Sequence, residues 1–117
     1  MRLKKIIPIV PVADVLKSVE FFESVLGFSA TVKSENHALL KLDDVALHLQ
    51  PAGENTGEIA FYIEVEGIDA LYERMKPALD RLPKGRVRSP FNQEYGQREF
   101  HVTDLDSLLI FFGEPIT

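Results

Sequence analysis

The sequence predicts an α+β fold: two tandem βαβββ modules whose mixed sheets curve into a cup. Three observations carry this. The apolar pattern passes twice, in the same order, from a strand to a helical repeat and on to three short strands. A polar, glycine-bearing stretch from Pro51 to Gly57 separates the two passes. Each pass is too small to bury enough apolar surface alone, so two units must work together. The chain is read as a single domain, 1–117, with module one at about residues 5–51 and module two at about 57–114.

In module one, Ile6 to Val12 is rich in β-branched residues and reads as a strand. Pro8 and Pro11 lack the N–H a ladder needs, which predicts a sheet edge or an exchanged strand. Asp14 is the expected cap of a helix over about 15–25, where Val15, Val19, Phe22, Val25 and Leu26 recur at helical spacing and Gly27 ends the run. Phe28 to Lys33, His37 to Leu42 and Val45 to Gln50 are strands, parted by Ser34-Glu35-Asn36 and Asp43-Asp44 as turns.

Module two repeats the order. Glu58 to Val65 is a strand, and Ile68, Leu71, Tyr72, Met75 and Leu79 mark a helix that Pro77 shortens or kinks near its end. Arg86 to Ser89, Gln97 to Val102 and Ser107 to Gly113 are the three strands that follow. Superposing Val12 on Val65 sets Asp14 over Gly67, Val15 over Ile68 and Phe22 near Met75. The element order matches even where the residues do not.

Composition narrows the function. At 117 residues and 45% hydrophobic content the chain has an ordinary globular make-up. A net charge of -5 with scattered Lys and Arg argues against nucleic acid, whose phosphates require clustered basic side chains. Without cysteine there is no disulfide, thiolate metal site or cysteine nucleophile. The basic start and the apolar run behind it are read as a strand rather than a leader, because the run is short and carries two prolines. No stretch approaches the roughly 18–20 apolar residues of a membrane span, so the expectation is a cytoplasmic protein without a membrane partner.

Strand alternation then separates two faces. Ile59, Phe61, Ile63 and Val65 are expected under a helix, leaving Glu58, Ala60, Tyr62 and Glu64 toward the cup. On the fourth strand Ala46, His48 and Gln50 share a face, and on the eighth Leu109 and Phe111 oppose Leu108, Ile110 and Phe112. Apolar and aromatic walls with isolated polar groups line small-molecule pockets, and the carboxylates favour a planar, cationic ligand. His48, Glu58, Tyr62 and Phe111 are therefore candidate ligand contacts; a solvated strand position is the alternative for His48 and the glutamates, and plain core for Phe111. No Gly-x-Ser-x-Gly, phosphate-cradling loop or His-Glu-x-x-His occurs, and no catalytic residue is assigned. Acid–base chemistry by His48 with Glu58 would need the two within hydrogen-bond reach.

Val12-Ala13-Asp14, Ser18-Val19-Glu20-Phe21-Phe22 and Val25-Leu26-Gly27-Phe28 together resemble the first-helix signature of the vicinal-oxygen-chelate superfamily of glyoxalases, bleomycin-resistance proteins and dioxygenases. Val65 to Tyr72 resembles its second helix start, and Tyr95-Gly96-Gln97-Arg98-Glu99-Phe100 with Asp104-Leu105-Asp106 resembles the segment before its last hairpin. One departure is Asp104-Leu105-Asp106-Ser107, where the family has Asp-Pro-Asp-Gly. The resemblance implies that Tyr95 and Arg98 lie near a ligand; a salt bridge to strand neighbours is the other reading of Arg98. It also implies that the family's metal positions fall on Ile7, His48, Ala60 and Phe111. One imidazole cannot replace the roughly three protein ligands a catalytic metal needs, so no metal and no cofactor are expected. His37, His101 and Glu58 are the residues from which a displaced site would have to be built.

The function implied is that of a metal-free protein resembling the bleomycin-resistance branch, which sequesters an antibiotic or metabolite in a cup near the interface of a homodimer. The alternative is a metal-dependent glyoxalase-like lyase, isomerase or dioxygenase with a non-standard metal site. A third reading makes the cup a filled core and the domain an interaction module.

Overall fold

The computed structural model describes residues 1–54 and 57–117. The chain divides into two compact units, Met1–Gly57 and Glu58–Thr117, each a four-stranded mixed sheet with one helix. Each carries the βαβββ order.

Module one runs β1 (Ile9–Val12), α1 (Val15–Ser24), β2 (Ser29–Lys33), β3 (Ala38–Leu42) and β4 (Val45–Pro51). Its sheet order is β1-β4-β3-β2, with β1 parallel to β4 and the other pairs antiparallel. The proline-bearing β1 is an edge strand, as the missing N–H of Pro11 demands. It starts at Ile9 rather than Ile6, because Pro8 offers only its carbonyl, which accepts from the His48 N–H at 2.9 Å. The Asp14 side chain accepts from the Lys17 N–H at 3.0 Å and opens α1 as expected. Val15, Val19, Phe21 and Phe22 of α1 are buried against Val10, Val12, Leu40, Leu47 and Leu49, which come from one face of the sheet.

Module two runs β5 (Ile59–Glu64), α2 (Ile68–Leu79), β6 (Val87–Asn92), β7 (Gln97–Thr103) and β8 (Leu108–Pro115), in the sheet order β5-β8-β7-β6. Strand β5 is parallel to β8, mirroring β1 and β4. Phe100, Val102, Leu108, Ile110 and Phe112 fill the helix-covered side, where Phe100 stacks on Phe112 with centroids 4.9 Å apart and Tyr72 of α2 meets Phe100 at 5.2 Å. Pro77 is accommodated in the last turn and α2 continues to Leu79.

One further local difference from the sequence reading has a clear cause. Strand β6 extends to Asn92 instead of ending at Ser89, because a register shift between Arg88 and Phe91 absorbs Pro90 as a bulge on an edge strand. Helix α2 has no side-chain cap of its own: its N-cap is Gly67, in the left-handed region at φ 79°. Glu114 on β8 substitutes, accepting from the Gly67 N–H at 2.7 Å and the Ile68 N–H at 3.1 Å. Those two bonds hold its carboxyl below the usual value. Among the described residues no helix is long and apolar enough to cross a membrane.

Candidate functional site

The side of the module-two sheet away from α2 gathers the groups that can recognise a ligand. Register fixes its rows. Ala60, Leu109 and Thr103 lie side by side across β5, β8 and β7; next come Tyr62, Phe111, His101 and Arg88; then Glu64, Gly113, Glu99 and Phe91. Strand alternation gives every member of these rows the same face, opposite Phe100, Ile110 and Phe112.

Gly113 is the gap in this surface. A β-carbon there would overlap the Tyr62 side chain, whose Cε1 would be only 2.8 Å away. The missing side chain lets the Tyr62 ring lie over β8, its centroid 6.0 Å from Phe111 and the two planes 27° apart. Phe111 continues the aromatic run to His101 at 4.0 Å, and His101 meets Phe91 edge-on at 5.2 Å. The Arg88 guanidinium caps the Phe91 ring at 3.6 Å.

Beneath the rings lies Glu99, which is fully buried. Its Oε1 accepts from His101 Nε2 at 2.8 Å and from Gln93 Nε2 at 3.1 Å, and its Oε2 accepts from the Tyr95 hydroxyl. Burial alone would raise this carboxyl; the hydrogen bonds led by Tyr95 and His101 outweigh it and hold Glu99 ionised below its ordinary value. The Tyr62 hydroxyl donates to Gln97 Oε1 at 3.2 Å. Partial burial, then the Glu99 carboxylate, raise the Tyr62 phenol well above its usual range, and the bond to Glu99 does the same for Tyr95. Both tyrosines therefore stay hydroxyl donors at neutral pH.

The first row borders a cavity of about 600 Å³ lined by Glu58, Ile59, Ala60, Thr103, Asp106, Ser107 and Leu109. Its volume lies in the range of small-molecule sites, and two carboxylates and two hydroxyls give it polar anchors. Asp104, just below, is structural: Oδ1 accepts from the Asp106 and Leu108 N–H groups at 2.8 and 3.1 Å, which holds the turn without the family's proline and glycine. Its Oδ2 is buried without a partner, and burial raises the carboxyl above its ordinary value despite those bonds.

Tyr62, Tyr95 and Phe111 are thus brought together on one face of module two, and Glu58 lines the adjoining cavity. Arg98 is not. Its strand position turns it to the helix side, where Nε and Nη2 each meet Asp69 Oδ1 of α2 at 3.0 Å and Nη1 meets Asn92 at 3.1 Å. This ties β7 to the helix and is the salt-bridge reading of Arg98, reached through α2 rather than through its own strand. His48 sits in module one, half-buried, with Nδ1 2.8 Å from His37 Nε2. Sequence reasoning passed over Glu99, Gln93 and Phe91 as site residues and left the facing of His101 open. The alternation of Gln97, Glu99, His101 and Thr103 with Arg98, Phe100 and Val102 was the available signal.

A metal does not fit the positions that the family resemblance assigns to one. Ile7, Ala60 and Phe111 have no donor atom, and among the described residues no three His, Cys, Asp or Glu side chains are grouped to hold an ion.

Comparison with known proteins agrees with this frame. The family model for the glyoxalase/bleomycin resistance protein/dioxygenase superfamily matches residues 5–112. A bleomycin resistance protein of Geobacillus stearothermophilus is 33% identical over 129 aligned positions, covering 94% of this chain and 96% of the relative. A bleomycin-binding protein solved in complex with bleomycin superposes with a TM-score of 0.82 at 19% identity, covering 96% of this chain and 98% of the other. The bleomycin-binding protein of bleomycin-producing Streptomyces verticillus, complexed with copper(II)-bleomycin, gives a TM-score of 0.77 at 25% identity, covering 96% of each chain. With two βαβββ modules in tandem and a family match across nearly its whole length, the chain belongs to the glyoxalase/bleomycin resistance protein/dioxygenase superfamily.

Proposed function

We propose that this chain is a cytoplasmic, metal-free binding protein that sequesters a planar, cationic antibiotic or metabolite, with bleomycin as the reference ligand. The observation that carries this reading is the aromatic face of Tyr62, Phe111, His101 and Phe91 beside a cavity bordered by Glu58 and Asp106. Flat rings offer stacking area, and the carboxylates favour positive charge. Relatives and structural neighbours named for bleomycin resistance or bleomycin binding point the same way. Sequestration requires no chemistry: protein in excess, with a Kd below the harmful concentration, lowers free ligand by mass action.

The working unit in this proposal is a homodimer with the ligand cups near its interface. Each sheet has one helix-covered side, and the other side exposes large apolar groups: Ile9 at 60%, Val32 at 45% and Tyr62 at 42%. These are the side chains that the proposed dimer would cover. On module one's own sheet the proposed ligand contact is His48, whose Nδ1 lies 2.8 Å from His37 Nε2.

Calorimetric titration of the purified protein with metal-free bleomycin and with copper(II)-bleomycin, alongside mass determination by light scattering, tests both parts. Saturable micromolar or tighter binding by a dimer is expected. Absence of heat with either form removes bleomycin as the ligand, and a monomer at binding concentrations removes the shared-interface cup.

A further inference from the structure

The buried Glu99 does more than fill space beneath the aromatic face. An ionised carboxylate only accepts hydrogen bonds, so its 2.8 Å contact with His101 places a proton on Nε2. In the uncharged imidazole the other nitrogen, Nδ1, then carries a lone pair. Among the described residues no hydrogen bond is made by Nδ1, and Asp104 Oδ2 is the fully buried side-chain atom left unsatisfied, so Nδ1 is not sealed from solvent in a side chain that is 11% exposed. The neighbouring donors are engaged: Tyr95 and Gln93 on Glu99, and Tyr62 on Gln97. Phe111 at 4.0 Å and Phe91 at 5.2 Å flank the imidazole, and both are partly exposed. The negative charge behind Nε2 polarises the ring and makes Nδ1 a stronger acceptor.

We propose that His101 Nδ1 is the acceptor by which this face selects planar cations bearing an outward N–H donor, with Glu99 as the positioning residue that fixes the tautomer. The proposal rests on the small-molecule-binding reading above and adds the chemical class: a flat ring system stacks on Phe111 and Tyr62 and directs an N–H edge at Nδ1. A fully N-alkylated ring of the same shape covers Nδ1 and leaves it without a partner, a loss larger than a missing apolar contact.

Proflavine and 10-methyl acridine orange test this, because both are three-ring acridine cations and the second, methylated at its amino nitrogens and its ring nitrogen, carries no N–H. Fluorescence titration of the full chain is expected to show proflavine binding about tenfold tighter, the difference one charge-assisted hydrogen bond makes. His101→Phe keeps a ring between Phe111 and Phe91 and removes the acceptor; the preference is expected to fall to within about twofold. Long-range ¹⁵N–¹H NMR of the free wild-type protein is expected to show His101 as the Nε2–H tautomer, with Nδ1 shifting on proflavine addition. If His101→Phe does not fold, the wild-type dye pair and the tautomer decide. Equal affinity for the two dyes, an Nδ1–H tautomer, an imidazolium protonated on both nitrogens, or a preference that survives in His101→Phe overturns the proposal while leaving the binding reading in place. Failure of both dyes to bind also overturns it, and failure of bleomycin as well takes the binding reading with it.

Discussion

Replacing Gly113 by alanine perturbs the aromatic face through one added carbon. The three heavy atoms nearest to a β-carbon at this position all belong to Tyr62, and all lie inside van der Waals contact. Gly113 is not among the glycines at positive φ, so the backbone itself accepts alanine. Tyr62 is 42% exposed and can swing outward instead of forcing β5 and β8 apart. The swing gives up the ring contact with Phe111, about 0.5–1.5 kcal/mol, and the bond to Gln97, about 0.5–1.5 kcal/mol. Water replaces part of both at this exposure, which favours the lower ends. Alanine returns about 0.4–1 kcal/mol by restricting the unfolded chain. The net expectation is a loss of up to about 2 kcal/mol in urea unfolding, with an unchanged m-value. The sign reverses in a Tyr62→Ala background, where the clash is gone and Gly113→Ala stabilises by about 0.4–1 kcal/mol. A double-mutant cycle then gives a coupling of about 1–3 kcal/mol between the two positions. An equal loss in both backgrounds would refute the claim that Gly113 exists to seat Tyr62.

Three further outcomes follow from the charged groups. Glu114→Gln removes the carboxylate that caps α2, so Tm falls by a few degrees at neutral pH. Because the folded Glu114 carboxyl is lowered, its stabilisation is present above the ordinary carboxylate value and lost on acidification, and the gap between variant and wild type closes below about pH 4; a gap independent of pH contradicts the cap. Asp104→Asn has the opposite sign: the folded carboxyl is raised, so wild-type stability drops as pH climbs through the carboxylate range. The variant's Tm relative to wild type should rise as pH climbs above about 4, and a flat difference removes the buried-charge argument. Arg98→Met loses the exposed pair with Asp69, about 0.2–1 kcal/mol in thermal or urea unfolding, and leaves bleomycin affinity unchanged, whereas a large drop in affinity would place Arg98 in the site after all.

The fold was readable because each module writes its own short-range pattern. Asp14 caps α1 through a residue three positions away, and the prolines of the first strand exclude it from the middle of a sheet. Alternation along β5 and β8 placed Tyr62 and Phe111 on the open face without any long-range information. On β7 the alternation holds but is masked, because Phe100, His101 and Val102 are consecutive buried residues and its polar member Glu99 is itself buried. A buried carboxylate becomes intelligible only when Gln93, Tyr95 and His101 are seen converging on it across the β6–β7 turn. Arg98 illustrates the same limit: its partner Asp69 is 29 residues away on α2, and the strand pattern gives no hint of it. Glu114 reaches 47 residues back to the Gly67 N–H, which is why a helix without a local cap could still be placed but not explained.

The central claim is that this chain holds its ligand and does not transform it. Equilibrium dialysis of bleomycin against an excess of the protein, followed by mass analysis of the drug released on denaturation, tests both halves at once. The account predicts that bleomycin is retained on the protein side and recovered at its original mass; drug that distributes equally across the membrane, or is recovered chemically altered, would contradict it.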